Sequence, residues 1–410
     1  MTTPFTLLAE AVRQHGSPLW AYDTGTIAER VEQLKVFDTV RFAQKANPNL
    51  HVLRLMRGHG LVLDAVSLGE MERAFAAGAS VQGDPAGVVL TCDALDRPTL
   101  ERVVAEKIEV NAGSIDMLRQ LGERSPGHRV WVRINPGFGH GHSRKTNTGG
   151  ENSKHGIWHE QLDEALGVIK AHGLHLVGVH MHIGSGVDYQ HLEQVARSMI
   201  ELVGRLGVDI EAFSIGGGLS TPYRSSDKPV DLQRYAQTWA VARKEIEAML
   251  GHPVRMEIEP GRFLVAECGY LVAEVRAVKQ VGRNTFVMID AGFNDLMRPA
   301  MYGAYHGMSL LDAAGHPVER PQQLTVVGGP LCESGDIFTQ DDECLTPRPL
   351  PQARVGDLLV LHDTGAYGAS MSSNYNSRPL LPEVLFENGQ PRLIRRRQPL
   401  ADLLALELGL

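Results

Sequence analysis

Short apolar runs alternate with amphipathic segments between residues 41 and 262. Apolar residues recur at helical spacing in the segments between the runs, as in 69–79, 114–125 and 189–207. Eight strands alternating with helices predict an α/β fold, a (β/α)₈ TIM-like barrel. An open, doubly wound sheet fits the same periodicity and stays an alternative. The predicted strands are 41–46, 61–67, 87–92, 107–113, 129–136, 175–184, 210–218 and 254–262.

The placement of unusual residues favours the barrel. They follow or end many different strands, whereas an open sheet concentrates its site at one or two switch points. These strand-end residues are Lys45, Asp64, Ser67, Arg133, His182, Gly216, Gly217, Gly218, Glu259 and Arg262.

The pattern changes after residue 263. Residues 268–292 and 353–368 are extended in character, and Asn388-Gly389 between two apolar runs predicts a β-hairpin. We therefore predict a barrel domain over 25–263. A mostly β, sandwich-like or barrel-like domain follows over 264–410, and residues 1–24 are expected to join it.

Composition narrows the functional classes. The 410 residues include 40 basic and 48 acidic side chains, a net charge of −8, which disfavours nucleic acid or an anionic membrane as the main partner. No apolar run reaches 18 residues, and the first sixteen residues lack the basic start of a secretory signal. The four cysteines have neither CxxC spacing nor the density of a disulfide framework. We expect a soluble, cytoplasmic enzyme.

Three motifs offer chemistry. Lys45 is either a surface lysine or an amine at the barrel mouth that forms a Schiff base. Gly216 to Gly218 form either a tight turn or a nest of backbone N–H groups for a phosphate. Glu259 and Arg262 form either a structural ion pair or a functional pair, in which Glu259 holds a proton on a heterocyclic nitrogen and Arg262 binds an anion.

Histidines and a cysteine complete the candidates. His180 and His182 lie two apart on a predicted strand and share one face, with no further metal ligand evident beside them. A metal site is therefore disfavoured, and His182 is better suited to stack on a planar cofactor. Cys332 lies near glycines and two carboxylates in a turn-like segment, which is unusual for a cysteine of the core.

The ordered set of motifs resembles the pyridoxal-phosphate decarboxylases of the alanine-racemase-like fold, and among them the bacterial diaminopimelate decarboxylases. The resemblance covers nearly the whole chain, and it is specific because all the motifs occur in the same order. The motifs are RFAQKANPN, DAVSLGE, RINPGFGHGHS, HMHIGSG, IGGGLS, EPGRFLV, DAGFNDLMRPAMY, GPLCESGD and GAYGASMSSNYNSRPLLPEV.

The resemblance implies that the barrel binds pyridoxal 5'-phosphate, and it implies roles for individual residues. Lys45 corresponds to the lysine that binds the cofactor covalently, and Cys332 to the cysteine that protonates the product. A homodimer is also implied, in which Cys332 and Glu333 reach the partner's cofactor. The implied cofactor-binding residues are Lys45, Asp64, Arg133, His182, Ser185, Gly216, Gly217, Gly218, Glu259, Arg262 and Tyr367. The implied substrate-binding residues are Arg262, Arg298, Tyr302, Glu333 and Tyr367.

The chemistry of these residues agrees with the resemblance. Glu259 keeps the pyridine nitrogen protonated and favours decarboxylation, whereas an arginine there would suit racemisation. Meso-2,6-diaminopimelate carries a distal ammonium and a distal carboxylate, which Glu333 and the pair Arg262 and Arg298 match. The implied product is L-lysine, formed in the last step of lysine biosynthesis.

Two alternatives stay open. One is a related pyridoxal-phosphate decarboxylase for another amino acid, such as ornithine, arginine or a carrier-bound substrate. The other is a non-catalytic protein that binds pyridoxal phosphate, which the joint presence of Lys45, Cys332 and Glu259 disfavours.

Overall fold

The computed structural model describes residues 4–139, 148–182, 184, 188–341 and 343–409. The chain divides into two compact units. The barrel unit comprises Val31–Ser220 and Pro229–Phe263, and the β unit comprises Met1–Arg30, Thr221–Lys228 and Leu264–Leu410. This division differs from the ranges expected from the sequence in that residues 25–30 and 221–228 group with the β unit.

The described strands are numbered in chain order. They are β1 (Leu19–Asp23), β2 (Thr39–Ala43), β3 (Val62–Ala65), β4 (Val88–Cys92), β5 (Glu109–Ala112), β6 (Arg129–Asn135), β7 (Ile157–Trp158), β8 (His175–His180), β9 (Ala212–Ser214), β10 (Arg255–Ile258), β11 (Gly269–Val281), β12 (Asn284–Ile289), β13 (Met308–Leu311), β14 (Gln322–Gly328), β15 (Arg348–Pro351), β16 (Leu358–Leu361), β17 (Glu383–Glu387) and β18 (Gln390–Arg395).

The described α-helices vary from four to nineteen residues. They are α1 (Phe5–His15), α2 (Thr24–Glu32), α3 (Leu50–Gly58), α4 (Leu68–Ala76), α5 (Arg97–Glu106), α6 (Ile115–Arg124), α7 (Leu162–His172), α8 (Tyr189–Leu206), α9 (Leu232–Leu250), α10 (Arg262–Val265), α11 (Arg298–Tyr302) and α12 (Leu400–Leu404). Within the part of the chain that is described, no helix is both long and apolar enough to cross a bilayer.

Eight parallel strands close the barrel. They pair in the order β5, β4, β3, β2, β10, β9, β8 and β6, and β6 pairs with β5 to complete the ring. The short strand β7 adds to β6 outside this ring. The closed ring confirms the barrel and rules out the open sheet. Each predicted strand overlaps one of these eight, although the observed strands are shorter.

Helix signals in the sequence explain where the barrel helices begin and end. The Ser67 hydroxyl accepts a hydrogen bond from the Glu70 N–H, and the Glu70 carboxylate accepts one from the Val66 N–H at 2.9 Å, which fixes the start of α4. The Asp96 carboxylate caps α5 by accepting a hydrogen bond from the Thr99 N–H at 2.9 Å. Gly251 ends α9 in the left-handed conformation, which glycine adopts without steric cost.

A buried ion pair joins two neighbouring barrel strands. The Arg41 guanidinium on β2 donates to the Glu257 carboxylate on β10 at 2.5 and 3.2 Å, and to the Ala86 carbonyl oxygen at 2.9 Å. Both side chains are almost fully buried. The pair therefore satisfies charges that would be costly to bury alone.

The β unit is built around β1 and β11. β1 pairs antiparallel with β11 and parallel with β17, so the N-terminal strand belongs to this sheet. Two residues, Asn388 and Gly389, join β17 to β18 with positive φ angles of 51° and 74°, as a type I′ turn requires. This confirms the predicted hairpin. The core of the unit packs α1 against β1, β11, β16 and β17.

Candidate active site

Lys45 and Asp64 lie at the carboxyl ends of adjacent barrel strands, β2 and β3. Lys45 follows β2 in a 3₁₀ turn and is exposed, although the residues on either side of it are buried. Asp64 is buried, and its Oδ1 has no hydrogen-bond partner among the described residues. Burial, and then the negative charge of Glu259, raise the pKa of Asp64 to about 8, against the hydrogen bond from Thr91 and the positive charge of Lys45.

Glu259 follows β10 and is held by two donors. His180 donates from Nε2 to Oε2 at 2.8 Å, and the Ser214 hydroxyl donates to Oε1 at 2.9 Å. Burial alone would raise the pKa of Glu259, but His180, Ser214 and the nearby Arg41 outweigh it and lower that pKa to about 2. The site therefore contains a buried carboxylate that stays ionised.

A glycine loop follows β9 and packs closely on its surroundings. Gly216 and Gly218 have φ angles of +65° and +108°. A Cβ on Gly217 would lie 2.6 Å from the Glu259 carbonyl oxygen, so only glycine fits. The Gly217 N–H donates to Nδ1 of His182 at 3.1 Å, which joins this loop to the residue that follows β8.

His182 is a neutral ring. Burial lowers the pKa of His182 well below its ordinary value, and the positive charges of Arg133 and Lys45 lower it further. Because Nδ1 accepts from Gly217, the ring hydrogen lies on Nε2. The His182 carbonyl oxygen accepts from the Thr148 hydroxyl at 2.9 Å. Hydrogen bonds thus hold both the ring and the backbone of His182, and an uncharged ring held in this way can stack on a planar group.

Arg133 is a nearly buried cation on β6, with 8% of its surface exposed. Burial lowers the pKa of its guanidinium, against the carboxylates of Asp93, Glu259 and Asp64. Arg262 begins α10, three residues after Glu259, and is partly exposed. Ser185 lies outside the described residues.

Three of the candidate substrate residues belong to two segments of the β unit. Arg298 begins α11 and is buried, and Tyr302 ends the same helix and is partly exposed. Tyr367 lies in the turn after β16 with a φ of +57°, and is partly exposed.

Cys332 and Glu333 lie in an exposed turn after β14. The Cys332 N–H donates to Oδ1 of Asn376 at 2.9 Å, and the Asp336 carboxylate accepts from the Leu331 N–H at 2.8 Å. These bonds hold the backbone of the turn and leave the thiol and the Glu333 carboxyl at the surface.

The barrel residues fit pyridoxal phosphate. Among the described residues, a buried oxygen of Asp64 has no partner, an exposed lysine follows the adjacent strand, and the glycine loop leaves no room for a Cβ. The ionised Glu259 can hold a proton on a pyridine nitrogen, and His182 offers a flat neutral ring. Within the described ranges, no group of three or more histidine, cysteine, aspartate or glutamate side chains is placed so that it could hold a metal ion.

The two hydrogen bonds to Glu259 are not predicted from the sequence. There, His180 is considered only as a possible metal ligand, and Ser214 is given no role. His180 and Ser214 are the last residues of β8 and β9, and β8, β9 and β10 are consecutive in the ring. Their positions at the ends of these strands allow both side chains to bond to Glu259, which follows β10. The predicted strands continue past both residues, to 184 and 218, so the pattern does not indicate that the strands end there.

The family comparison agrees with this site. The family described as "Pyridoxal-dependent decarboxylase, pyridoxal binding domain" matches residues 25–266. The barrel with its lysine, glycine loop and buried carboxylate is thus of the class of pyridoxal-dependent decarboxylases, which have pyridoxal phosphate as cofactor.

Individual relatives narrow the class. The diaminopimelate decarboxylase of Escherichia coli (strain K12) is 62% identical over 397 residues, covering 96% of this chain and 94% of that protein. A crystal structure of a diaminopimelate decarboxylase is 61% identical, with a TM-score of 0.96 and coverage of 98% of this chain and 96% of that one. The Helicobacter pylori enzyme, complexed with L-lysine, is 31% identical, with a TM-score of 0.85 and coverage of 98% and 99%. The chain belongs to the diaminopimelate decarboxylase family.

Proposed function

We propose that this chain removes CO₂ from meso-2,6-diaminopimelate and releases L-lysine, the last step of lysine biosynthesis. The observation that carries the proposal is the buried, ionised Glu259 in a barrel that also presents the exposed Lys45 and the glycine loop. Bound pyridoxal phosphate supplies a protonated pyridine ring that accepts the electron pair left when CO₂ departs.

The barrel residues hold and tune that group. Lys45 binds it covalently through its amine, and the N–H groups of Gly216 to Gly218, with Arg262, bind the phosphate. Glu259 keeps the ring nitrogen protonated, for which its low pKa of about 2 is suited. His182 stacks on the ring. The remaining cofactor contacts in this proposal are Asp64, Arg133, Ser185 and Tyr367.

Charge explains the choice of substrate. The non-reacting end of meso-diaminopimelate carries an ammonium and a carboxylate, so its recognition needs both signs. Glu333 pairs with the ammonium, and Arg298 with the carboxylate, supported by Arg262. Tyr302 and Tyr367 line the same substrate. The complex of the Helicobacter pylori relative with L-lysine supports this assignment, since lysine retains that end of the molecule.

Cys332 delivers the proton that replaces CO₂. Its exposed turn supports a homodimer in which Cys332 and Glu333 of one chain serve the site of the other. Neither nucleic acid nor membrane is a partner in this proposal. The cytoplasm is the proposed location, which the four free cysteines favour.

A panel of substrates tests the proposal against its two alternatives. The purified holoenzyme is given meso-diaminopimelate, L-ornithine, L-arginine, L-lysine and a carrier-bound amino acid, and released CO₂ is measured. CO₂ from meso-diaminopimelate alone supports the proposal. A higher kcat/KM for another amino acid would make the chain a different decarboxylase. Full cofactor occupancy with no CO₂ from any compound, carrier-bound ones included, would make it a binding protein.

A further inference from the structure

Arg298 is held by two aromatic side chains of the β unit that the proposed function does not use. Its Nη1 lies 2.9 Å from Nε2 of His306. Its Cζ lies 4.7 Å from the centre of the Tyr223 ring, within the range of a cation–π contact. The Tyr223 and His306 rings meet edge-on with their centroids 5.5 Å apart. Among its contacts in the described residues, the guanidinium thus has a ring nitrogen as acceptor and a ring face.

The hydrogen bonds determine the tautomer of His306. A guanidinium has only donors, so Nε2 of His306 must accept from Arg298. The hydrogen of the neutral ring is then on Nδ1, which donates to the His362 carbonyl oxygen at 2.8 Å. His306 is 1% exposed, so its ring is shielded from solvent. The ring therefore has a defined orientation, and it presents a lone pair to Arg298.

We infer that His306 is a positioning residue that orients the Arg298 guanidinium toward the carboxylate at the non-reacting end of the substrate. The inference rests on the proposed function, because it requires a substrate with that carboxylate. An unrestrained arginine loses side-chain entropy when it binds, whereas one already held in place loses less. Bidentate pairing with a carboxylate also requires the planar group to be aligned. The effect of His306 should therefore fall on affinity for ligands that carry the carboxylate.

Two variants remove the acceptor in different ways. His306→Asn keeps a donor for the His362 carbonyl oxygen but does not reach Arg298, and His306→Phe keeps the ring against Tyr223 but has no acceptor. His306→Gln places an amide oxygen where Nε2 was and is the conservative rescue. His128→Asn is the matched control, because His128 is an equally buried histidine of the barrel unit that also bonds a backbone carbonyl oxygen.

The readout is a pair of competitive inhibitors of the holoenzyme. L-Lysine keeps the distal carboxylate, and 1,5-diaminopentane lacks it. We expect His306→Asn and His306→Phe to raise the Ki of L-lysine and the KM of meso-diaminopimelate about tenfold, the loss of a charge-assisted hydrogen bond. The Ki of 1,5-diaminopentane and kcat should change less than about threefold, and His306→Gln and His128→Asn should resemble the wild type.

A second measurement asks whether His306 acts through Arg298. In an Arg298→Ala background, adding His306→Asn should not raise the Ki of L-lysine further. Equal weakening of both inhibitors by each variant that folds, or a full additional effect in the Arg298→Ala background, would overturn the inference. Failure of the wild-type holoenzyme to form lysine from meso-diaminopimelate would instead overturn the proposed function, and the two failures are distinct.

Discussion

Nε2 of His180 lies 2.8 Å from Oε2 of Glu259, and both side chains are buried where β8 and β10 end. The bond matters because a carboxylate buried among apolar groups would normally take up a proton. With the Ser214 hydroxyl on its other oxygen, Glu259 instead stays ionised. A fixed negative charge at this point can stabilise positive charge on a heterocyclic ring.

Replacing Glu259 by glutamine removes that charge but keeps the shape of the side chain. We expect Glu259→Gln to lower kcat by about a hundredfold or more, with little change in KM, since the lost interaction acts on the reaction and not on substrate binding. Ser214→Ala should lower kcat less, because His180 still donates to the carboxylate. Steady-state kinetics on meso-diaminopimelate checks both. Glu164→Gln, at an exposed ion pair, is the control. An unchanged kcat in Glu259→Gln would refute the role of Glu259.

Lys45 is expected to be the one covalent attachment point of the cofactor. Borohydride reduction of the wild-type holoenzyme should attach the pyridoxyl group irreversibly to Lys45. Mass spectrometry of the digested protein should then find the label on the peptide that contains Lys45. Lys45→Ala should lose both this label and measurable turnover, because no other amine takes its place. Lys35→Ala, at an exposed ion pair with Glu32, should keep both. A label on any other lysine would contradict the assignment.

The raised pKa of Asp64 predicts how stability changes with pH. Because its pKa rises from 3.8 to about 8 on folding, the folded state favours the protonated form. Protonated Asp64 therefore makes its full contribution to the free energy of unfolding below about pH 4. That contribution is lost as the pH rises toward 8, because the unfolded chain ionises at lower pH than the folded one. Asp64→Asn removes this dependence, and at pH 8 the cofactor-free variant should be more stable than the wild type by about 1 kcal/mol or more.

Urea unfolding of the cofactor-free proteins at pH 5 and pH 8 measures this effect. Asp116→Asn, at an exposed ion pair, is the matched control and should follow the wild type. If Asp64→Asn and the wild type lost stability equally between the two pH values, the raised pKa would be wrong.

Sequence patterns predict the eight barrel strands and the hairpin because hydrophobic periodicity and turn residues are local properties. They do not predict where strands end. The predicted strand 41–46 includes Lys45, which the structure places in a 3₁₀ turn, and the strand predicted over 175–184 ends at His180.

Side-chain partners are harder to predict than strands. The bond between His180 and Glu259 joins residues 79 positions apart, and it depends on the register of β8, β9 and β10. The contact between Tyr223 and Arg298 is likewise invisible in the sequence pattern. Tyr223 lies in residues 221–228, which stand within the barrel part of the sequence but group with the β unit.

The shared active site of the proposed homodimer can be tested by mixing inactive subunits. Lys45→Ala and Cys332→Ala chains, allowed to exchange, form mixed dimers. If Lys45 of one chain and Cys332 of the other serve one site, each mixed dimer has one intact site and one with neither residue. Activity should then return to about a quarter of the wild-type value if subunits pair at random. Verified exchange without recovered activity would show that each chain completes its own site.

Decarboxylation at the D centre of meso-diaminopimelate is the step on which the proposed function depends. The most direct measurement uses substrate that carries ¹³C only in the carboxyl group of that centre. We expect that all the label leaves as CO₂, that one L-lysine forms for each CO₂, and that the lysine contains no label. Label retained in the lysine, or CO₂ released without lysine, would contradict this chemistry.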